Sequence, residues 1–119
     1  MKNLLVVLTF IFFIPTLYSQ NTNLPKTETK GDLQEVTLYY ENGAIMQNGF
    51  YTKDGKLHAS WESYNIDGSR KCYATYNYGA KVGIWIYWTD NKITKIEYDN
   101  DKIVKIEEST ISDKPKNNY

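Results

Sequence analysis

The chain has 119 residues, and its 14 basic and 14 acidic side chains give a formal net charge of zero and a pI near 6.6. This length allows one domain, and the charge balance argues against a nucleic-acid partner, because binding to phosphate backbones relies on an excess of Lys and Arg. A single Cys and a single His exclude a disulfide framework and a zinc site of four Cys or His ligands from this chain.

The first nineteen residues have the composition of a secretory signal peptide. A short positive start that contains Lys2 precedes an apolar run over residues 4–14, and Ser19 marks the predicted cleavage site. The run has 11 residues, which is too short to cross a bilayer that requires about 20 helical residues, so a retained anchor is less favoured. A buried N-terminal helix is also less favoured, because polarity changes abruptly at Gln20. We therefore expect an exported protein, periplasmic or extracellular, with no stable membrane insertion after cleavage.

Composition divides the remaining chain into three parts. Residues 20–31 contain one Leu and no aromatic residue, which predicts a flexible linker. Residues 32–108 form the predicted β-repeat domain, and the polar residues 109–119 are predicted to be a disordered tail.

Turn signals recur about every twelve residues through the domain. Asn-Gly or Asp-Gly pairs at 42–43, 54–55 and 67–68 predict two-residue type I′ hairpin turns, because Asn, Asp and Gly tolerate positive φ best. Asp101-Lys102 occupies the corresponding position of the last turn. The fold class is therefore all-β, an antiparallel meander of about seven short strands.

The register of the central hairpin follows from its hydrophobic pattern. A turn at 67–68 places Trp61 opposite Ala74 and Ser63 opposite Cys72 on one largely apolar face. Tyr64 would then pair with Lys71 on the other face, where Glu62 pairs with Tyr73.

The segment from Tyr76 to Trp88 reads Y-x-Y-G-A-K-x-G-x-W-x-x-W, and looser matches begin at Trp61 and Tyr39. This pattern resembles the variant MORN repeat of bacterial proteins, a Gly-Lys-x-x-Gly-x-Trp-x-x-Tyr unit, over residues 38–106. The chain departs from it at Ala80, Lys92 and Lys102. The resemblance implies an elongated sheet of stacked hairpins that serves as a scaffold or binding surface and not as an enzyme.

The chain is thus similar to the bacterial YwqK-type family, whose members are often described as antitoxins. Eukaryotic relatives are described as membrane-associated scaffolds. The signal peptide argues against an intracellular antitoxin. An export-linked role, such as immunity to a secreted toxin or an envelope-associated interaction module, fits the sequence better.

No residue set predicts a catalytic centre. Cys72 and His58 fall on opposite faces and roughly 17 Å apart, which is too far for proton transfer. Several carboxylates could serve a glycosidase or a calcium site, but neither an enclosing cleft nor the spacing of an EF-hand loop is evident; they are Glu97, Asp99, Asp101, Glu107 and Glu108. We assign no catalytic residue, cofactor or metal.

Outward-facing aromatic residues form the predicted partner-binding surface. Tyr64 and Tyr73 lie on the polar face, and either Trp85 or Trp88 must join them, because the two differ by an odd number of residues. Tyr and Trp provide a large contact area for a protein partner, although they could also simply cover one another. A small envelope carbohydrate-binding protein or weak glycosidase is the alternative function, and self-association of stacked hairpins is a third.

Overall fold

The computed structural model describes residues 23–111, which form one antiparallel sheet of nine strands and contain no α-helix. The predicted signal peptide and residues 112–119 lie outside this described part of the chain. The strands are β1 (Lys26–Lys30), β2 (Leu33–Tyr39), β3 (Ile45–Thr52), β4 (Leu57–Tyr64), β5 (Arg70–Asn77), β6 (Ala80–Lys81), β7 (Gly83–Trp88), β8 (Lys92–Asp99) and β9 (Lys102–Thr110).

Each strand pairs with its neighbour in sequence, except that the short β6 pairs only with β5, and β7 follows β5 in the sheet. The all-β antiparallel class is confirmed. There are nine strands and not about seven, partly because β1 lies in the segment predicted to be a flexible linker. Its polar side chains gave no strand signal, but its backbone pairs with β2 through a turn with Gly31 at φ 60. β9 also includes two residues of the predicted tail.

The Asn-Gly and Asp-Gly turns differ from the predicted type. In the first, the Gly43 amide donates to the Tyr40 carbonyl and the Tyr40 amide donates to the Ala44 carbonyl, at 3.0 and 2.8 Å. Positive φ occurs at Gly43 but not at Asn42. This is a type I turn followed by a left-handed glycine, a three-residue hairpin loop. The same hydrogen bonds recur at 52–56 and 65–69.

Two other turns have positive φ at both central residues, as type I′ requires. They are Tyr78-Gly79 and Asn100-Asp101. The last turn therefore lies one residue before the predicted position, and Lys102 begins β9. Asn and Asp tolerate this backbone conformation better than Lys does.

The predicted register of the central hairpin is confirmed for most of its length. Trp61 pairs with Ala74 and Ser63 with Cys72. At Tyr64 the partner is Arg70 and not the predicted Lys71, because the longer turn introduces a register shift next to it.

Two tryptophans 24 residues apart have the same environment. The Trp61 indole N–H donates to the Phe50 carbonyl, and the Trp85 indole N–H donates to the Thr75 carbonyl, both at 3.0 Å. Two residues before each tryptophan the backbone is left-handed, with φ 58 at Ala59 and φ 67 at Gly83. The 24-residue spacing of these two tryptophans therefore corresponds to a repeated local geometry.

The best-buried side chains lie on one face, which we call the core face. Trp61, Ala74 and Trp85 are each 5% exposed, and no side chain among residues 23–111 is completely buried. A domain usually covers an apolar sheet face with a second layer, but the described residues contribute only this one sheet. The rings therefore cover one another, and the residues packed around the three are Tyr51, Leu57, Cys72, Tyr76, Tyr87, Ile96 and Tyr98.

Candidate functional site

The opposite face of the sheet, which we call the outer face, carries most of the predicted binding residues. One row of paired residues crosses seven strands of this face, from a buried Thr to an exposed Glu. The row contains Thr37, Asn48, Glu62, Tyr73, Ile86, Lys95 and Glu107.

Trp85 does not belong to this surface. It lies on the core face, where its ring packs edge-on against Tyr76 and Tyr98 with centroid separations of 5.1 and 5.2 Å. The Lys81 ammonium lies 5.0 Å from the ring centroid, in a cation–π contact. The odd spacing correctly required one tryptophan to face away, and that tryptophan is Trp88.

Tyr64, Tyr73 and Trp88 do come together, and Arg70 joins them; we call these four residues the Trp88 surface. All four line one small cavity. The Arg70 guanidinium carbon lies 5.6 Å from the Trp88 ring centroid, again a cation–π geometry. Sequence reasoning missed Arg70, although it is the only arginine of the chain.

Hydrogen bonding holds Tyr64 within this surface. Its hydroxyl donates to the Glu62 carboxylate. This bond raises the pKa of Tyr64, because it stabilises the protonated hydroxyl, and partial burial acts in the same direction. The Tyr64 carbonyl also accepts a hydrogen bond from the Tyr40 hydroxyl at 2.7 Å, which ties this strand end to the neighbouring hairpin.

The cavity within the Trp88 surface is too small for an organic ligand. Its volume of about 20 Å³ holds about one water molecule, whereas ligand pockets usually enclose about 300–1,000 Å³. A larger open hollow of about 660 Å³ begins at Trp88 and Arg70 and extends over the adjoining turns. Its other lining residues are Asn65, Ser69, Lys71, Thr89, Asp90 and Ile111.

The thiol and imidazole groups remain apart. Cys72 packs against the core cluster, and burial raises the pKa of its thiol, which disfavours the nucleophilic thiolate. The imidazole Nδ1 of His58 accepts a hydrogen bond from the Tyr78 amide at 3.0 Å. His58 pairs with Phe50 on the outer face.

Three of the five candidate carboxylates have structural partners, namely Asp101, Glu107 and Glu108. Asp101 accepts a hydrogen bond from the Lys81 amide at 2.9 Å. The Lys105 ammonium lies 2.6 Å from Glu107 and lowers the pKa of that carboxyl. A glycosidase acid requires the opposite shift. Within residues 23–111, no group of three or more His, Cys, Asp or Glu side chains is placed to hold a metal ion.

No family model, no curated protein and no solved structure matches this chain. Among the described residues, no helix is long and apolar enough to cross a membrane.

Proposed function

We propose that this protein is an exported, MORN-like β-repeat module that binds a protein partner through the Trp88 surface. One observation carries the proposal: a half-buried tryptophan stands beside an arginine and two tyrosines on the outer face, while the other two tryptophans are used in the core. Trp, Tyr and Arg are the residue types that contribute most binding energy at protein interfaces.

The backbone around these residues supports the same function. Tyr73 and Trp88 lie within paired strands, and Tyr64 and Arg70 are opposite each other in the β4–β5 hairpin. Backbone held in paired strands needs no ordering when a partner binds, which favours affinity. The small cavity favours contact with a protein surface over enclosure of a small molecule.

The cellular role follows from the sequence features. The predicted signal peptide over residues 1–19 fits an export-linked module, either an immunity-type protein that engages a secreted toxin or an envelope scaffold. The resemblance to MORN-repeat and YwqK-type chains supports a binding role without catalysis.

Photo-cross-linking in intact cells tests this proposal. A photoreactive phenylalanine at Tyr73 should give a discrete adduct with one other protein, and Trp88→Ala should abolish that adduct. The matched control carries the same group at Gln34, an exposed residue of β2. Equal adducts from positions 73 and 34, or an adduct indifferent to Trp88→Ala, would contradict the proposal.

The hollow beside Trp88 favours glycan binding as a second candidate, because sugars combine stacking on an aromatic ring with hydrogen bonds to polar groups. Trp88 is the one tryptophan of the three outside the core, so bound oligosaccharide should quench its fluorescence. The quenching should disappear in Trp88→Phe and persist in a control variant, Tyr51→Phe. A saccharide panel without any spectral change would exclude this candidate.

A further inference from the structure

The last strand forms an exposed edge of the sheet. β9 pairs with β8 on one side only, and every residue of β9 is exposed. Ile103 and Ile106 remain 55% and 56% exposed. Proteins usually protect long apolar edge strands with charged residues, a proline, a bulge or a covering segment, because the free backbone groups of such an edge can pair with another strand.

The apolar residues of β9 extend the core face to this edge. Ile106 pairs with Ile96, which pairs with Trp85. A strand added at the edge would continue this row if it placed an apolar residue opposite Ile106. On the outer face, Lys105 pairs with Glu97 and Glu107 pairs with Lys95, so charges alternate across the strands.

The sequence of β9 is complementary to itself in one antiparallel register. If Ile106 lies opposite Ile106 of a second copy, Lys105 lies opposite Glu107 of that copy on both sides of the two-fold axis. A shift of one residue in each strand would instead oppose Lys105 to Lys105, or Glu107 to Glu107. Directly opposed like charges destabilise a strand pair.

We propose that β9 is a dimerisation edge, and that its occupant is the β9 strand of a second copy, antiparallel and centred on Ile106. The pairing joins two sheets into one, with a continuous apolar row from Trp85 of one copy to Trp85 of the other. It also places opposite charges across the new strand pair on the outer face. This inference is independent of the Trp88 surface and of its partner.

A β-bulge limits the length of the paired segment. Lys105 pairs with Glu97 but Ile103 pairs with Tyr98, so Val104 is an extra residue in the ladder. The regular segment therefore begins at Lys105, and each bulge marks one end of the intermolecular ladder.

The other edge of the sheet has the opposite character. β1 has five residues, KTETK, and all of its side chains are polar. Antiparallel pairing of two copies over the full strand would place Glu28 opposite Glu28 and Lys26 opposite Lys30. Charge therefore opposes self-pairing over the full length of β1, and this strand has no apolar residue to extend the core face as Ile106 does in β9.

Charge reversal combined with analytical ultracentrifugation tests the proposal on chain purified from cells expressing the full-length sequence. Wild type should show a concentration-dependent monomer–dimer equilibrium. Lys105→Glu alone and Glu107→Lys alone should each be monomeric, because each opposes like charges. An equimolar mixture of the two variants should recover a heterodimer, because each reversed side chain then meets an opposite charge. Lys26→Glu, the control on β1, should dimerise like wild type.

A cysteine pair provides the measurement of register without changing charge. Under mild oxidation Ile106→Cys should form a disulfide-linked dimer, because directly opposed Cβ atoms lie about 4.5–5.5 Å apart. Ser109→Cys should not, because the two copies of that residue would be six positions apart, roughly 20 Å. The unsubstituted chain controls for Cys72.

Three results would overturn the proposal: a monomeric wild type at all concentrations, a dimer that survives both single charge reversals, or cross-linking through position 109 and not 106. Far-UV circular dichroism of each variant verifies that the sheet is retained. If both charge variants lose the sheet, the cross-linking pair decides the question alone.

Discussion

Replacing Gly49 by Ala tests how Trp61 packs on the core face. A Cβ atom at residue 49 would lie 2.0 Å from Cδ2 of Trp61 and 2.3 Å from Cε2, far inside van der Waals contact. The φ of Gly49 is outside the left-handed region, so the substitution introduces no backbone strain of that kind. The loss of stability should therefore come from displacement of the indole.

The expected loss of stability can be bounded from the contacts of Trp61. Displacement breaks the hydrogen bond to the Phe50 carbonyl, which contributes about 0.5–1.5 kcal/mol. It also separates the ring from Tyr51, an edge contact with a 5.0 Å centroid separation that contributes about 0.5–1.5 kcal/mol. Complete loss of a buried Trp side chain costs about 3–5 kcal/mol. We therefore expect Gly49→Ala to lower the free energy of unfolding by about 2–4 kcal/mol.

Urea unfolding followed by far-UV circular dichroism measures this change, and a red shift of tryptophan emission should accompany it. Gly83→Ala gives the cost of an added methyl group without a steric clash, because its Cβ would meet nothing closer than 3.9 Å. Its left-handed φ of 67 alone costs about 1 kcal/mol, so Gly49→Ala should be the more destabilising of the two. In a Trp61→Ala background, Gly49→Ala should have almost no further effect. A loss below about 0.5 kcal/mol in the wild-type background would refute the proposed clash.

Three further predictions concern the core face, the repeat and the strand ends. Burial raises the pKa of Tyr87 to about 12, whereas an unfolded tyrosine ionises near 10. The unfolded state therefore loses this proton first, and the free energy of unfolding should fall as pH rises between these two values. The fall should be smaller in Tyr87→Phe. Ala59→Gly should leave the free energy of unfolding almost unchanged, because relief of the left-handed φ of Ala59 offsets the greater conformational freedom that glycine gives the unfolded chain. Gly83→Ala should lower the free energy of unfolding by about 1 kcal/mol, because alanine is strained at the left-handed φ of residue 83, and chemical unfolding measures both changes. Tyr40→Phe should lose about 1 kcal/mol of stability through its missing hydrogen bond to the Tyr64 carbonyl, and an unchanged urea midpoint would contradict this role.

The register of the central hairpin could be predicted because two independent signals agree there. Alternation places Trp61 and Ala74 on one face, and the turn fixes which residues meet. The turn type was wrong because an Asn-Gly or Asp-Gly pair suits both a type I′ turn and a type I turn followed by a left-handed glycine. The difference shifts pairing only beside the turn, at Tyr64.

The candidate site could be predicted only in part. Both faces of β7 are apolar or aromatic, so alternation required one outward tryptophan without identifying it. Trp88 was identified by the contacts of Trp85 with the core. Arg70 joined the surface because the register shift places it opposite Tyr64, which a two-residue turn did not predict. β1 has no apolar residue, so its pairing could be seen only in the backbone.

Hydrogen exchange of the three indole N–H groups, followed by NMR, tests the central claim most directly. The claim is that one sheet uses two tryptophans in its core face and presents the third for binding. Trp61 and Trp85 donate to backbone carbonyls and are 5% exposed, so their indole protons should exchange slowly. The Trp88 proton should exchange quickly. Equal exchange of all three, or protection of Trp88 with rapid exchange of Trp85, would contradict the arrangement of faces on which the account depends.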